Sequence, residues 1–166
     1  MNPHQVLVFG GKIGANRSSD SKLYDFKLKK WSNGPINFTE GKSGFGFCLI
    51  QGTLFVAGGN NGSKVLNSFE GFELSTGRRK NLKPMNYARD ELSLVNVGEF
   101  IYAIGGGGDD GSNLRSVERY DVNLDRWEQV ENMLISRRAH SVVSLDGSIY
   151  VFGGFDGVKY LCSVER

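Results

Sequence analysis

Four short apolar runs recur along the chain, and a pair of glycines closes each one. Val6-Leu-Val-Phe9 precedes Gly10-Gly11, and Leu54-Phe-Val-Ala57 precedes Gly58-Gly59. Ile101-Tyr-Ala-Ile104 precedes Gly105-Gly106, and Ile149-Tyr-Val-Phe152 precedes Gly153-Gly154. Such runs are short, β-branched and aromatic, and bounded by glycine, so they predict buried strands rather than helices. A second strand precedes each of the last three, at Phe45–Ile50, Leu92–Val97 and Ser141–Leu145, with Gly52, Gly98 or Gly147 in the link. So short a glycine-containing link is hairpin chemistry. Gly98 lies one residue earlier than its counterparts, which puts the local packing of that hairpin in question.

The pattern continues downstream of each doublet. A third strand is expected over Asn67–Phe72, Arg115–Tyr120 and Cys162–Arg166. An aromatic–acid pair ends it at Tyr24-Asp25, Phe72-Glu73 and Tyr120-Asp121, and Trp31 and Trp127 then open a fourth. The doublets recur at intervals of 48, 47 and 48 residues. Four strands per interval, with no helical periodicity, make one antiparallel sheet per repeat. A sheet this small cannot bury both faces by itself, so neighbouring repeats must stack on it.

The doublet, the aromatic–acid pair, the later tryptophan and the spacing together resemble the kelch repeat, across essentially the whole chain. Ser116-Val-Glu-Arg-Tyr-Asp121, Trp127, Met133, Arg137 and Asp146-Gly-Ser-Ile-Tyr-Val-Phe-Gly-Gly-Phe-Asp-Gly157 are especially similar to repeats of kelch-like proteins that carry a BTB domain. The resemblance implies an all-β, partial β-propeller of four-stranded antiparallel blades. Its expected divisions are an incomplete blade over 1–38, complete blades over 39–86 and 87–134, and an incomplete blade over 135–166. The second repeat departs from the pattern, with Phe72-Glu73 for Tyr-Asp and Arg78-Arg79-Lys80 where tryptophan belongs. Two complete blades would leave open edges and apolar sheet faces, so the isolated chain is expected to self-associate.

Composition narrows the chemistry. The 23 glycines among 166 residues have no collagen-like triplet period and fit many tight turns. A net charge of +2 gives no electrostatic reason to expect nucleic acid or an anionic membrane. The basic groups Lys27/Lys29/Lys30 and Arg78-Arg79-Lys80 read as solvated turns. No apolar run reaches the roughly 20 residues that span a bilayer. Cys48 and Cys162 are far apart in strand-like surroundings and read as reduced, partly buried thiols, which points to a reducing compartment and a cytoplasmic setting.

Gly106, Gly108 and Gly111 spell G-x-G-x-x-G, yet Ser112–Tyr120 beyond them has a strand pattern, whereas a dinucleotide site needs a helix N-terminus there. Asp109 and Asp110 would repel phosphate and lack the spaced acidic ligands of a calcium loop. Two cysteines and two histidines without ligand spacing leave no zinc site. His140 beside Ser141 and Ser144 suggests a nucleophilic centre only superficially, because His140 holds the strand-opening position of Phe45 and Leu92. A kelch-type propeller also serves copper-radical oxidases, but no tyrosine, cysteine and histidine set marks one here. No cofactor, metal or catalytic residue is expected.

Binding by loops remains. The resemblance implies that a protein partner contacts two loop sets on one propeller face. One is the residue after the basic residue that begins each repeat: Ser43, Asp90 and Arg138, after Lys42, Arg89 and Arg137. The other begins just past each doublet, at Lys12, Asn60, Gly107 and Phe155, with Asp109 in the third loop. Arg138 offers forked donors and Phe155 rigid apolar area. The eight doublet glycines with Tyr24, Tyr120, Trp31 and Trp127 form the structural motif. The implied role is substrate recognition in a BTB–kelch adaptor of a cullin-based ubiquitin ligase, touching the cullin only through a BTB domain outside these residues. An actin or cytoskeletal scaffold, and less readily a propeller oxidase, are the alternatives.

Overall fold

The structure is a computed structural model that describes residues 4–166, all strands and connections with no helix among them. The first stacked sheet contains β1 (Gln5–Phe9), β4 (Ser21–Asp25) and β5 (Lys30–Asn33). Between β1 and β4 the chain forms a separate two-stranded ribbon, β2 (Lys12–Ile13) and β3 (Asn16–Arg17). The second sheet runs β6 (Gly46–Ile50), β7 (Thr53–Ala57), β8 (Phe69–Glu73) and β9 (Arg79–Asn81) in sequence order. The third repeats that order with β10 (Ser93–Val97), β11 (Phe100–Ile104), β12 (Val117–Asp121) and β13 (Arg126–Gln129). The fourth holds β14 (Ser141–Leu145), β15 (Ser148–Phe152) and β16 (Val164–Glu165). All pairings are antiparallel, as expected for an all-β stack with two four-stranded sheets and a partial one at each end.

The displaced glycine leaves this register intact. Gln51 and Gly52 both have positive φ (45° and 80°), as do Asp146 and Gly147 (50° and 72°), whereas only Gly98 (60°) does so in its turn. The first two links have the dihedral pattern of type I′ turns, and Gly98 at the first central position suits type II′. Either turn fits the twist of a two-residue hairpin, so Ile50↔Thr53, Val97↔Phe100 and Leu145↔Ser148 pair alike.

The core lies between sheets. Phe69 of the second sheet meets Tyr120 and Trp127 of the third edge to face, with ring centroids 4.7 Å and 4.9 Å away. Ala57, Leu94, Ile101 and Ala103 complete this buried layer. Ile36, Phe38, Leu54, Val56 and Phe72 fill the preceding junction, and Ile104, Val117, Met133 and Val151 the following one. Burying each large apolar side chain contributes about 1.5–3 kcal/mol, so stacking supplies the stability that a lone sheet lacks.

The aromatic–acid pairs divide their labour. Phe72 and Tyr120 face the preceding sheet, while the acid of the pair holds the next turn: Asp121 accepts from the amides of Asn123 and Leu124, and Asp25 from those of Lys27 and Leu28. In the second repeat Arg79 takes the register position of Trp127, opposite Phe72. Arg79 is therefore strand rather than solvated turn: it donates to Thr39 Oγ1 and lies 3.7 Å from Glu70. Cys162 is exposed, unlike the partly buried thiol expected, because it lies on the connection before β16. Cys48 is half-buried in β6, and both cysteines are free.

Candidate functional site

The glycine doublets show how neighbouring sheets are tied. A Cβ on Gly58 would lie 2.3 Å from the Arg89 carbonyl oxygen, and one on Gly105 2.5 Å from that of Arg137. Both glycines also have positive φ, so the position excludes side chains twice over. The second glycine of the first three doublets donates its N–H to the oncoming segment: Gly11 to Lys42 O (2.9 Å), Gly59 to Arg89 O (2.8 Å) and Gly106 to Arg137 O (2.8 Å).

The side chains of those basic residues turn inward. Arg89 is fully buried, pairs with Glu118 at 3.1 Å, and donates to the carbonyls of Gly105 (2.9 Å) and Ser116 (2.8 Å). Glu118 in turn accepts from the amides of Asn86 and Tyr87, so both buried charges are hydrogen-bonded as well as paired. Arg137 repeats the arrangement with Glu165 (2.5 Å) and Gly153 O (2.8 Å). Lys42 pairs with Glu70 and reaches Ser68, leaving a cleft of about 280 Å³ beside the shorter side chain. Each arginine thus joins two doublets, the preceding one through its carbonyl and its own through its guanidinium. The recurring Ser-Val-Glu element and the basic residue before the loop position are the marks of this network in the sequence.

One residue further along, the expected loop positions are paired. Ser43 and Asn60 exchange two backbone hydrogen bonds (3.0 and 2.8 Å), as do Asp90 and Gly107 (2.9 and 2.7 Å) and Arg138 and Phe155 (3.1 and 3.0 Å). The two loop sets therefore meet position by position. Lys12 stands apart, opposite Arg17 in the β2–β3 ribbon, and Asp109 is an exposed tip. The next residues, Gly44, Glu91 and Ala139, all have positive φ (66°, 49° and 51°). Glu91 N donates to Gly44 O (2.6 Å) and Ala139 N to Glu91 O (2.9 Å), a main-chain relay running across the inner strands.

Arg138 lies over the Phe155 ring, 5.5 Å from its centroid, with Nε 3.6 Å from Glu91. The Arg138 side chain is 39% exposed, and among the described residues its terminal amines make no hydrogen bond. Asp90 folds over Gly107, where a Cβ would lie 2.7 Å from its carboxylate. Burial first, and then the charge of Glu91, hold the Asp90 carboxyl above its usual range despite Arg138. Tyr160 packs on Phe155 at 5.3 Å, and Tyr160 and Val158 are almost fully exposed. Glu91, Val158 and Tyr160 were not expected at the site. The repeat alignment marks their positions but not that these side chains gather there.

The G-x-G-x-x-G stretch is a loop between β11 and β12, not the start of a helix. Asp110 accepts from Ser112 N (2.9 Å) and Oγ (2.6 Å), closing its own turn. His140 is buried between sheets; among the described residues neither ring nitrogen makes a hydrogen bond of good geometry, and its Cε1 lies 3.0 Å from where a Gly105 Cβ would lie. Burial above all, with the nearby Arg137 charge, pushes its pKa down to about 4, although the Ile104 and Arg137 backbones oppose the shift.

Stacked four-stranded sheets with doublet-crossing strands define the blades of a partial kelch-type propeller. Comparison with known proteins agrees. The KLHDC2/KLHL20/DRC7 Kelch-repeats domain matches residues 1–154, and the chain belongs to the kelch-repeat family. It is also similar to Kelch-like protein 40 of Xenopus laevis, 30% identical over 102 residues, which is 60% of this chain and 16% of that protein. The chain thus spans a small part of that relative's length. Kelch membership makes it a protein-interaction module.

Proposed function

We propose that the paired-loop face binds a protein partner, and that the chain is the substrate-recognition part of a BTB–kelch adaptor of a cullin-RING ubiquitin ligase. The observation that carries the binding reading is the doubly hydrogen-bonded pairing of Ser43 with Asn60, Asp90 with Gly107 and Arg138 with Phe155. It holds variable side chains on an invariant backbone frame, as recognition requires. Arginine and aromatic residues, as in the Arg138–Phe155 pair, are the types that dominate interface energetics. The adaptor reading draws its support from the similarity of Ser116–Asp121 and Asp146–Gly157 to repeats of kelch-like proteins. Free cysteines suit the cytoplasmic setting of such an assembly.

The native protein, immunoprecipitated from its own cells, should carry cullin-RING subunits and a protein substrate. Arg138→Ala should weaken substrate capture at least tenfold while leaving cullin recovery and thermal stability unchanged. Equal capture by the variant would remove Arg138 from the site. Recovery of actin filaments without cullin would replace the adaptor by a scaffold.

A further inference from the structure

The third and fourth sheets each seat a glutamate on two successive backbone amides of the segment leading into them. Glu118 accepts from Asn86 N (2.7 Å) and Tyr87 N (3.2 Å), and Glu165 from Leu134 N (2.6 Å) and Ile135 N (3.2 Å). In both cases the amides belong to the residues three and two places before the buried arginine, Arg89 or Arg137, that pairs with the same glutamate.

The second sheet keeps the positions but not the contact. Thr39 and Glu40 stand three and two places before Lys42, and among the described residues neither amide donates a hydrogen bond. Glu70, at the register position of Glu118, instead meets Lys42 and lies 3.7 Å from Arg79. A lysine ammonium is a compact point donor, whereas the forked guanidinium of Arg89 reaches two carbonyls and Glu118 together. Beside Lys42 lies the cleft of about 280 Å³, lined by the polar Thr39, Glu40, Lys42 and Glu70 and the apolar Leu82 and Pro84. Charge there favours an anion: Lys42 and Arg79 together outweigh Glu70, and the Glu40 carboxylate is already bound by Asn61 at 2.8 Å.

We propose that this cleft binds a carboxylate on a short aliphatic stem. The Thr39 and Glu40 amides take its oxygens, as the chain's own glutamates are taken in the next two sheets, and Leu82 and Pro84 take the stem. Amide bonds to a carboxylate are charge-assisted and stronger than those between neutral groups. A small free acid and the glutamate side chain of a protein present the same group. Neither Arg138 nor Phe155 lines the cleft, so the site stands independently of the paired-loop reading.

Proton–nitrogen correlation NMR of the full chain, titrated with sodium butyrate, tests this. The Thr39 and Glu40 amide resonances should move downfield and saturate, while those of Asn86 and Tyr87, which Glu118 already holds, stay still. Butyramide, of the same shape but uncharged, and sodium chloride at equal ionic strength should move none of the four. The peptide acetyl-Gly-Glu-Gly-amide distinguishes the sources: binding tighter than butyrate assigns the site to a partner's glutamate, and weaker binding to a small free acid. Lys42→Arg recreates the Arg89 arrangement and seats Glu70 on both amides. Butyrate affinity should then fall about tenfold or more, the loss expected when hydrogen bonds to a charged group disappear, with no drop in melting temperature. If that variant misfolds, Arg79→Gln, at a side chain 30% exposed, should weaken butyrate binding several-fold. Amides at 39 and 40 that respond to neither carboxylate, that respond equally to butyramide, or that keep wild-type affinity in the folded variant would each overturn the proposal.

Discussion

Replacing His140 by leucine should stabilise the protein, and increasingly so as the pH falls. The imidazole occupies the register position of Leu92, which is itself buried, so the frame accepts an aliphatic side chain there. Buried nitrogens without well-formed hydrogen bonds among the described residues carry a desolvation penalty of up to about 1–3 kcal/mol each. The folded pKa of about 4 lies below the ordinary histidine value of 6.5. Protonation consequently favours the unfolded chain: the loss is absent above the unfolded pKa, grows as pH drops through 6.5, and is complete below about 4. At about 1.4 kcal/mol per pKa unit, wild-type stability at pH 5 should fall by about 2 kcal/mol through this group alone, relative to pH 8. Urea unfolding of wild type and His140→Leu at the two pH values isolates that effect, since the other titrating groups are common to both proteins. The stability gap between them should widen by about 2 kcal/mol on acidification. A gap that is the same at pH 8 and pH 5 would refute the reasoning.

Further predictions concern the inter-sheet ties. Glu118→Ala strands the buried Arg89 charge and should cost about 3–5 kcal/mol in urea unfolding, far more than Glu128→Ala at the half-exposed Arg119 pair. Gly106→Ala places a Cβ 2.6 Å from the Asp90 carbonyl oxygen at φ 100°; it should lower the melting temperature, and a neutral result would contradict the crossing geometry. Burial pushes the Cys48 thiol up to about 12, so a thiol reagent at pH 7.5 should label exposed Cys162 at once and Cys48 only on unfolding. Rapid labelling of both would show that the second sheet opens freely.

The stacked architecture was legible because its signals repeat. A doublet, a hairpin glycine and an aromatic–acid pair each have several explanations singly, but only one when locked to a common period. The Gly98 shift was misleading for a physical reason: two turn types serve the same two-residue link, so a moved glycine changed the turn without changing the pairing. Arg79 was misread because a strand pairs through its backbone and accepts a cation in a tryptophan's place when a buried Glu70 is near. The site was legible as positions but not as contacts. That Ser43 would face Asn60 follows from three-dimensional crossing of strands 17 residues apart in sequence. That Glu91 would hold Arg138 depends on a left-handed backbone at residue 91, which glutamate does not advertise.

The double role of Arg89 and Arg137 has a consequence for how the molecule comes apart. Each links its own sheet to the preceding one through main-chain carbonyls and amides, so coupling between neighbours is concentrated at the junctions. Unfolding should then behave as a row of linked units whose boundaries, rather than members, set the cooperativity. Among the described residues the Lys42 side chain reaches no doublet carbonyl, so the second sheet lacks the tie to its own doublet that Arg89 and Arg137 supply in theirs. In native-state hydrogen exchange, the Gly58-Gly59 doublet should exchange faster than the Gly105-Gly106 doublet, which the Arg89 guanidinium holds. Because the ties use backbone atoms that no substitution removes, residues on the loop rim are free to diversify without loosening the row beneath them.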